Sequence, residues 1–129
     1  MPAAAYRPEG CPDVSPYLIV HGAAATIGFL KQALGATELR RHLAADGRIR
    51  HAEVRIGDGV VMLADAAPQQ PPVPAHVHVY VPDVDAAYQR ALQAGAEPLQ
   101  APMKKADPDR RAAVRDAGGT TWWIATLAG

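Results

Sequence analysis

The chain has one cysteine, one phenylalanine, no excess charge of either sign and no long apolar run. Cys11 has no second cysteine to join, so no intrachain disulfide holds the fold, and a reducing compartment is expected. Thirteen Lys and Arg balance thirteen Asp and Glu. A surface without net charge has no broad field to gather phosphate backbones or anionic lipid, so neither nucleic acid nor membrane is an expected partner. No run of about 18 apolar residues offers a membrane span, and residues 1–13 lack the basic start and apolar stretch of a secretion signal. The expectation is a cytoplasmic protein.

What the chain does contain is a copy of itself. Val20-His21-Gly22-Ala23 leads through Phe29 and Leu30 to Leu34-Gly35-Ala36, and Val81-Pro82-Asp83-Val84 leads through Leu92 to Ala94-Gly95-Ala96. Ala52-Glu53-Val54-Arg55 is matched by Ala112-Ala113-Val114-Arg115, and Gly59 by Gly119. Between the copies the segment from Ala66 to Pro74 holds four prolines, which fix φ and lack donors, so it connects and cannot be a central strand. With 129 residues and 49% hydrophobic composition the chain can bury one core. It reads as a single domain, 1–129, with a first βαβββ module at 14–66, a Pro-rich linker at 67–75 and a second module at 76–127.

Apolar spacing of 3.6 residues through Ala24, Ile27, Leu30 and Leu34 predicts a helix over 23–34 stopped by Gly35. A second helix opens at Val84, with Asp83 and Asp85 read as its capping residues and Ala87, Ala91 and Ala94 suited to close packing on a sheet. Strands are predicted at 17–20, 50–56, 60–64, 76–81, 112–115 and 121–126, with turns at Gly57-Asp58-Gly59 and Ala117-Gly118-Gly119. The charged, Pro-punctuated segment 101–111 is read as a solvated connector, with a flap over a cleft as the alternative. Arg55 and Arg115, at matching strand positions, are expected to hold similar ion pairs, and His21 and His42 to lie on the surface.

Alternation along the strands assigns their faces. Val77, Val79 and Val81 pack on the helix, which leaves His76, His78 and Tyr80 on the other side. Likewise Leu18, Val20, Ala52 and Val54 turn inward, and Tyr17, His51 and Glu53 outward. Of the adjacent pair Trp122-Trp123, the first is assigned to packing and the second to the open face opposite Met62's equivalent place. A sheet face carrying Tyr17, His51, Glu53, Met62, His78, Tyr80 and Trp123 is too polar for a dry sandwich, so these seven are the candidate ligand-binding residues of a concave cleft.

The repeat, together with Ile27-Gly28-Phe29-Leu30, Asp46-Gly47-Arg48-Ile49-Arg50-His51-Ala52-Glu53, Val61-Met62-Leu63-Ala64-Asp65, Val81-Pro82-Asp83-Val84-Asp85 and Thr121-Trp122-Trp123-Ile124, resembles the vicinal oxygen chelate superfamily, and within it the glyoxalase/bleomycin-resistance group. The resemblance runs from Val14 to Leu127. It implies an α+β fold of two tandem βαβββ modules forming a concave cleft from mixed, mainly antiparallel sheets, and a homodimer. Enzymes of that superfamily hold a divalent metal from the first and last strands of each module, positions that fall here at Tyr17, Met62, His78 and Trp123. Only His78 is a good ligand, so no metal, cofactor or catalytic residue is assigned. In place of the group's Asp-Pro-Phe-Gly turn stands Asp116-Ala117-Gly118-Gly119, and in place of its Tyr-Gly-Asp-Arg loop stands Asp107-Pro108-Asp109-Arg110. The expected function is metal-independent binding or sequestration of a planar or amphipathic small molecule, an antibiotic or secondary metabolite, in a resistance or carrier role. The alternative is a metal-dependent lyase, isomerase or thiol transferase of the glyoxalase type, with Glu53 or His51 as base and an unorthodox site built from His51, Glu53 and His76. A third possibility is a protein-binding groove.

Overall fold

The structure, a computed structural model, describes residues 6–128. The ends of the domain read as 1–129, and part of the segment read for a secretion signal, lie outside the described residues. The order is β1 (Tyr17–Val20), α1 (Ala23–Leu34), β2 (Thr37–Leu43), β3 (Ile49–Ile56), β4 (Gly59–Asp65), β5 (Ala75–Tyr80), α2 (Val84–Gln93), β6 (Glu97–Lys104), β7 (Asp109–Arg115) and β8 (Thr120–Leu127). This is the tandem βαβββ pattern expected. Each half makes its own four-stranded sheet, ordered β1-β4-β3-β2 and β5-β8-β7-β6. In each, the first strand runs parallel to the last and the remaining pairs are antiparallel.

Both helices end as their sequences require. Gly35 takes φ 64° at the end of α1, a left-handed turn open to a residue without a Cβ. At the start of α2, the Asp83 side chain accepts from the backbone N–H of Ala86 at 3.1 Å. The first helix begins after Gly22, which has no side chain to cap with, and the missing acceptor comes from a distant strand. Asp65 at the end of β4 accepts from Ala23 N at 2.7 Å with one carboxylate oxygen and from Ile49 N at 2.8 Å with the other. One carboxylate thereby fastens the start of α1 to the start of β3.

The core is continuous through both halves. Leu18, Val20, Val54 and Leu63 of the first sheet pack on Ile27, Leu30 and Ala33 of α1, and Ala112, Val114, Trp122 and Ile124 of the second pack with Val84, Ala87, Tyr88 and Ala91 of α2. The halves meet chiefly helix to helix, where Arg90 Nε donates to the Ala33 carbonyl at 3.2 Å. With the helices drawn together, the other face of each sheet is left accessible. In β5 the burial alternates as expected, with His76, His78 and Tyr80 exposed and Val77 and Val79 half-buried against the core.

Four local expectations are corrected. Strands β2 and β6 were not among the six predicted, because both are outer strands whose charged or proline-bearing residues give no apolar alternation. Prolines at 98 and 102 are tolerated on such an edge, where a missing N–H costs no ladder bond, and charges keep the edge from pairing with other chains. The segment 101–111 is accordingly neither flap nor connector: β6 runs to Lys104, β7 starts at Asp109, and four residues join them. Asp85 does not cap α2; it holds Arg110 through two bonds of 2.9 and 2.8 Å. Arg115 pairs with Glu97 as expected, whereas Arg55 reaches the Gly10 carbonyl at 3.5 Å instead of a carboxylate.

Candidate functional site

The seven candidate residues fall into two groups, one on each open face. On the first sheet Tyr17 of β1 and Met62 of β4 are register partners, and Met62 is also paired with Glu53 of β3. Tyr17 Oη lies 3.1 Å from His51 Nδ1, and His51 Nε2 lies 2.8 Å from Glu53 Oε2. Glu53 is 4% exposed, and its second oxygen meets Arg40 Nη1 of β2 at 2.9 Å and the Cys11 thiol at 3.3 Å. Burial by itself would raise this carboxyl, but hydrogen bonds from His51 and Cys11 and the Arg40 charge hold it below the usual glutamate range. The buried Cys11 thiol is pushed up, first by burial and then by Glu53, so it is a donor and not a thiolate nucleophile.

On the second sheet His78 of β5 and Trp123 of β8 are register partners. Arg111 Nε donates to His78 Nε2 at 3.1 Å, and the same guanidinium holds Asp107 and Asp109, each at 2.8 Å. Tyr80 donates its hydroxyl to the buried Asp109 at 2.8 Å, which raises the phenol above its ordinary value, and its ring lies 4.8 Å from that of His78. Though His78 is exposed, partial loss of water around its ring, and then the Arg111 charge, pull it below the usual histidine range against the opposing pull of Asp109 and Asp107. At neutral pH it is therefore an uncharged ring. Its Nε2 accepts from Arg111, which can only donate, so its proton sits on Nδ1. Trp123 Nε1 donates to His76 Nδ1 at 3.0 Å with the two rings stacked at 6.1 Å.

Trp122 is fully buried and Trp123 is half-buried on the open face, as the alternation in β8 requires. Within each face the structure brings the candidate residues together, but among the described residues no hydrogen bond joins one group to the other. A hollow of about 290 Å³ lies where β5 passes the β3–β4 turn, and Val14, Pro16, Ile56, Val77, His78 and Tyr80 are among its walls. Of the seven candidates only His78 and Tyr80 line it. Sequence reasoning missed Arg40, Cys11, Asp109 and Arg111 as partners in these groups. Arg111 carried a signal, since the strand registers place it where His51 stands in the first half.

A metal held from the first and last strands would have to be bound by Tyr17, Met62, His78 and Trp123. The indole is donor-only, the thioether is soft and neutral, and the good nitrogen of His78 is engaged by Arg111, so this donor set does not fit a divalent cation. Among the described residues no three His, Cys, Asp or Glu side chains gather in metal-binding geometry. No helix among them is long and apolar enough to cross a membrane.

Residues 14–124 match the Glyoxalase/Bleomycin resistance protein/Dioxygenase superfamily. An uncharacterized protein of Mycobacterium bovis is 38% identical over 86% of this chain and 80% of its own. Among solved structures, TioX from Micromonospora sp. ML1 is similar with a TM-score of 0.71 and 26% identity, covering 88% of this chain and 98% of that one. TnmS3, an antibiotic binding protein from Streptomyces sp. CB03234, is similar in fold with a TM-score of 0.67 and 21% identity, over 90% of this chain and 97% of that one.

Proposed function

Since the chain belongs to the Glyoxalase/Bleomycin resistance protein/Dioxygenase superfamily, we propose that it binds a planar or amphipathic small molecule without a metal, as an antibiotic-sequestering or carrier protein. The observation that carries this reading is the pair of register partners on each open face. Tyr17 beside Met62 and His78 beside Trp123 put a phenol, a thioether, a neutral imidazole and an indole where the family's enzymes place metal ligands. Flat rings stack on indole and phenol faces, worth about 0.5–1.5 kcal/mol beyond area burial, and a thioether adapts to an irregular ring edge. Around these surfaces His51 and Tyr80 supply hydrogen-bonding groups, with the buried Glu53 fixing His51 from behind. The fold shared with TnmS3, itself an antibiotic binding protein, is consistent with such a ligand.

The same reading takes the chain as one cytoplasmic domain with modules at 14–66 and 76–127 joined by 67–75. It also takes it as a homodimer, in which the accessible faces of two copies enclose the ligand between them. Titrating purified protein with flat aromatic compounds while following Trp fluorescence tests it. Saturable quenching that disappears in Trp123→Ala, with no metal recovered on acid digestion, is the expected result. Stoichiometric metal that is lost in His78→Ala would overturn it.

A further inference from the structure

Tyr17, His51 and Glu53 make a linear chain of hydrogen bonds, and for a neutral imidazole the donor and the acceptor at each contact follow. Glu53 is buried and paired with Arg40, so it is a carboxylate and can only accept. The neutral His51 ring then donates from Nε2 across the 2.8 Å contact, which leaves Nδ1 with a lone pair. The Tyr17 hydroxyl, 3.1 Å from that lone pair, is the donor to it. With its proton turned inward, the Tyr17 oxygen presents only acceptor lone pairs to the open face, and the residue is 48% exposed. A ligand group that meets it must bring its own proton.

We propose that Tyr17, His51 and Glu53 form a proton relay that receives acidic planar ligands, phenols or enols, as their anions. This rests on the small-molecule reading above and names the chemical class that reading leaves open. In the step, the ligand O–H bond breaks and its proton joins the Tyr17 oxygen. The original Tyr17 O–H bond breaks as an N–H bond forms on His51 Nδ1. No electron is transferred. Tyr17 finishes as it began, the ligand carries a negative charge, and the imidazolium on His51 is held by Glu53.

The surroundings favour that end state. Before transfer the Arg40 and Glu53 charges cancel; afterwards the group carries one positive charge beside the new anion. Two further described neighbours add no negative charge: His42 of β2 stacks its ring 6.3 Å from that of His51, and Cys11 stays a protonated thiol donating to Glu53. The second module has no counterpart, because Arg111 and Ala113 occupy the places of His51 and Glu53. The acidic edge of a ligand is therefore directed to the first sheet.

Para-nitrophenol, whose anion is coloured, and para-nitroanisole, the same ring without the acidic proton, separate ionisation from binding. With the full-length protein, Trp quenching reads binding of both, and visible absorbance reads the ionisation of bound nitrophenol at a pH where the free phenol is mostly neutral. Bound nitrophenol is expected to show an anion-to-neutral ratio about tenfold or more above the free compound, a shift of about one unit in its acid constant. Tyr17→Phe and His51→Gln should remove that excess per molecule bound, with para-nitroanisole reporting any separate change in ring affinity. If both probes quench equally and bound nitrophenol stays neutral, or if the excess survives in Tyr17→Phe, the relay is wrong and the binding reading stands. If neither probe quenches, both fall.

Discussion

Trp122 and Asp116 are joined across the β7–β8 turn: the buried indole donates its N–H to Asp116 Oδ2 at 2.8 Å. The other oxygen of the same carboxylate accepts from Gly118 N at 2.9 Å and Thr120 N at 3.2 Å, so one side chain shapes the turn and satisfies the largest side chain of the core. Removing it leaves a buried indole N–H and two turn N–H groups without their acceptor. Asp116→Ala is expected to cost about 2–3 kcal/mol, the penalty for stranding buried donors. Urea unfolding followed by far-UV circular dichroism measures it, and Asp116→Asn, which keeps one acceptor oxygen, should lose less.

The two adjacent tryptophans should separate stability from binding. Trp122 is fully buried in the core, and Trp122→Ala is expected to cost about 3–5 kcal/mol through the cavity it leaves. Trp123 faces the open side and is held by His76, so Trp123→Ala should lower stability far less while removing ligand-dependent quenching. Equal destabilisation by the two substitutions would show that Trp123 is also part of the core.

Gly118 is small for a tertiary reason. A Cβ there would stand 3.0 Å from Thr26 Oγ1 of α1, 3.2 Å from Val20 Cβ of β1 and 3.3 Å from Asp116 Oδ1. The turn of the second module is thus pressed against the first strand and helix of the first. Gly118→Ala is expected to destabilise by about 1–3 kcal/mol as packed neighbours are forced apart, read as a lower urea midpoint. Gly47, which meets nothing at its Cβ position, lies in a turn with φ 88°, so a loss there would report backbone strain instead.

How much of this was legible in the sequence varied with the physics of each element. The repeat, both helices and the inward–outward split of the central strands follow from apolar periodicity, and the structure places Trp122 inside and Trp123 outside on that basis. The outer strands β2 and β6 carry no such period, because neither of their faces is deeply buried. Partners from far along the chain were illegible for another reason. Nothing local to Glu53 points to Cys11 or Arg40, and nothing local to Gly22 points to Asp65; these contacts exist only once the sheets have set their registers.

His78 offers a direct reading of the second face. Its imidazole is expected to titrate below the ordinary histidine range, because partial desolvation and Arg111 both disfavour the charged ring. In Arg111→Met the midpoint should rise, since the cation that disfavours the charged ring is gone and Asp107 and Asp109, freed of their partner, favour it. Proton NMR of the imidazole resonances across acid and neutral pH gives the midpoint in both proteins. An unshifted value in the parent chain would mean that neither the partial desolvation of the ring nor the Arg111 contact outweighs Asp107 and Asp109 in solution.

Glu53 sets an acid limit on the first face, with a sign that follows from its environment. Its folded-state affinity for protons is lower than in the unfolded chain, so its contribution to stability is complete above the ordinary glutamate range and is lost as pH falls through the lower, folded value. The groups lost with it are identifiable: the Arg40 ion pair and the His51 bond each need the carboxylate charged. Glu53→Gln should therefore destabilise at neutral pH and flatten the acid limb of the stability profile. Arg40 is about one-third exposed (34%) and can recover water when its partner is neutralised, so the cost belongs with a lost buried hydrogen-bond acceptor, about 1–3 kcal/mol, and not with a fully stranded charge. Urea midpoints of both proteins at neutral pH and near pH 4 decide it: the gap between them should narrow on acidification. A gap that stays constant would mean that Glu53 is already protonated in the folded chain, which would also remove the acceptor on which the Tyr17–His51 proton assignment depends.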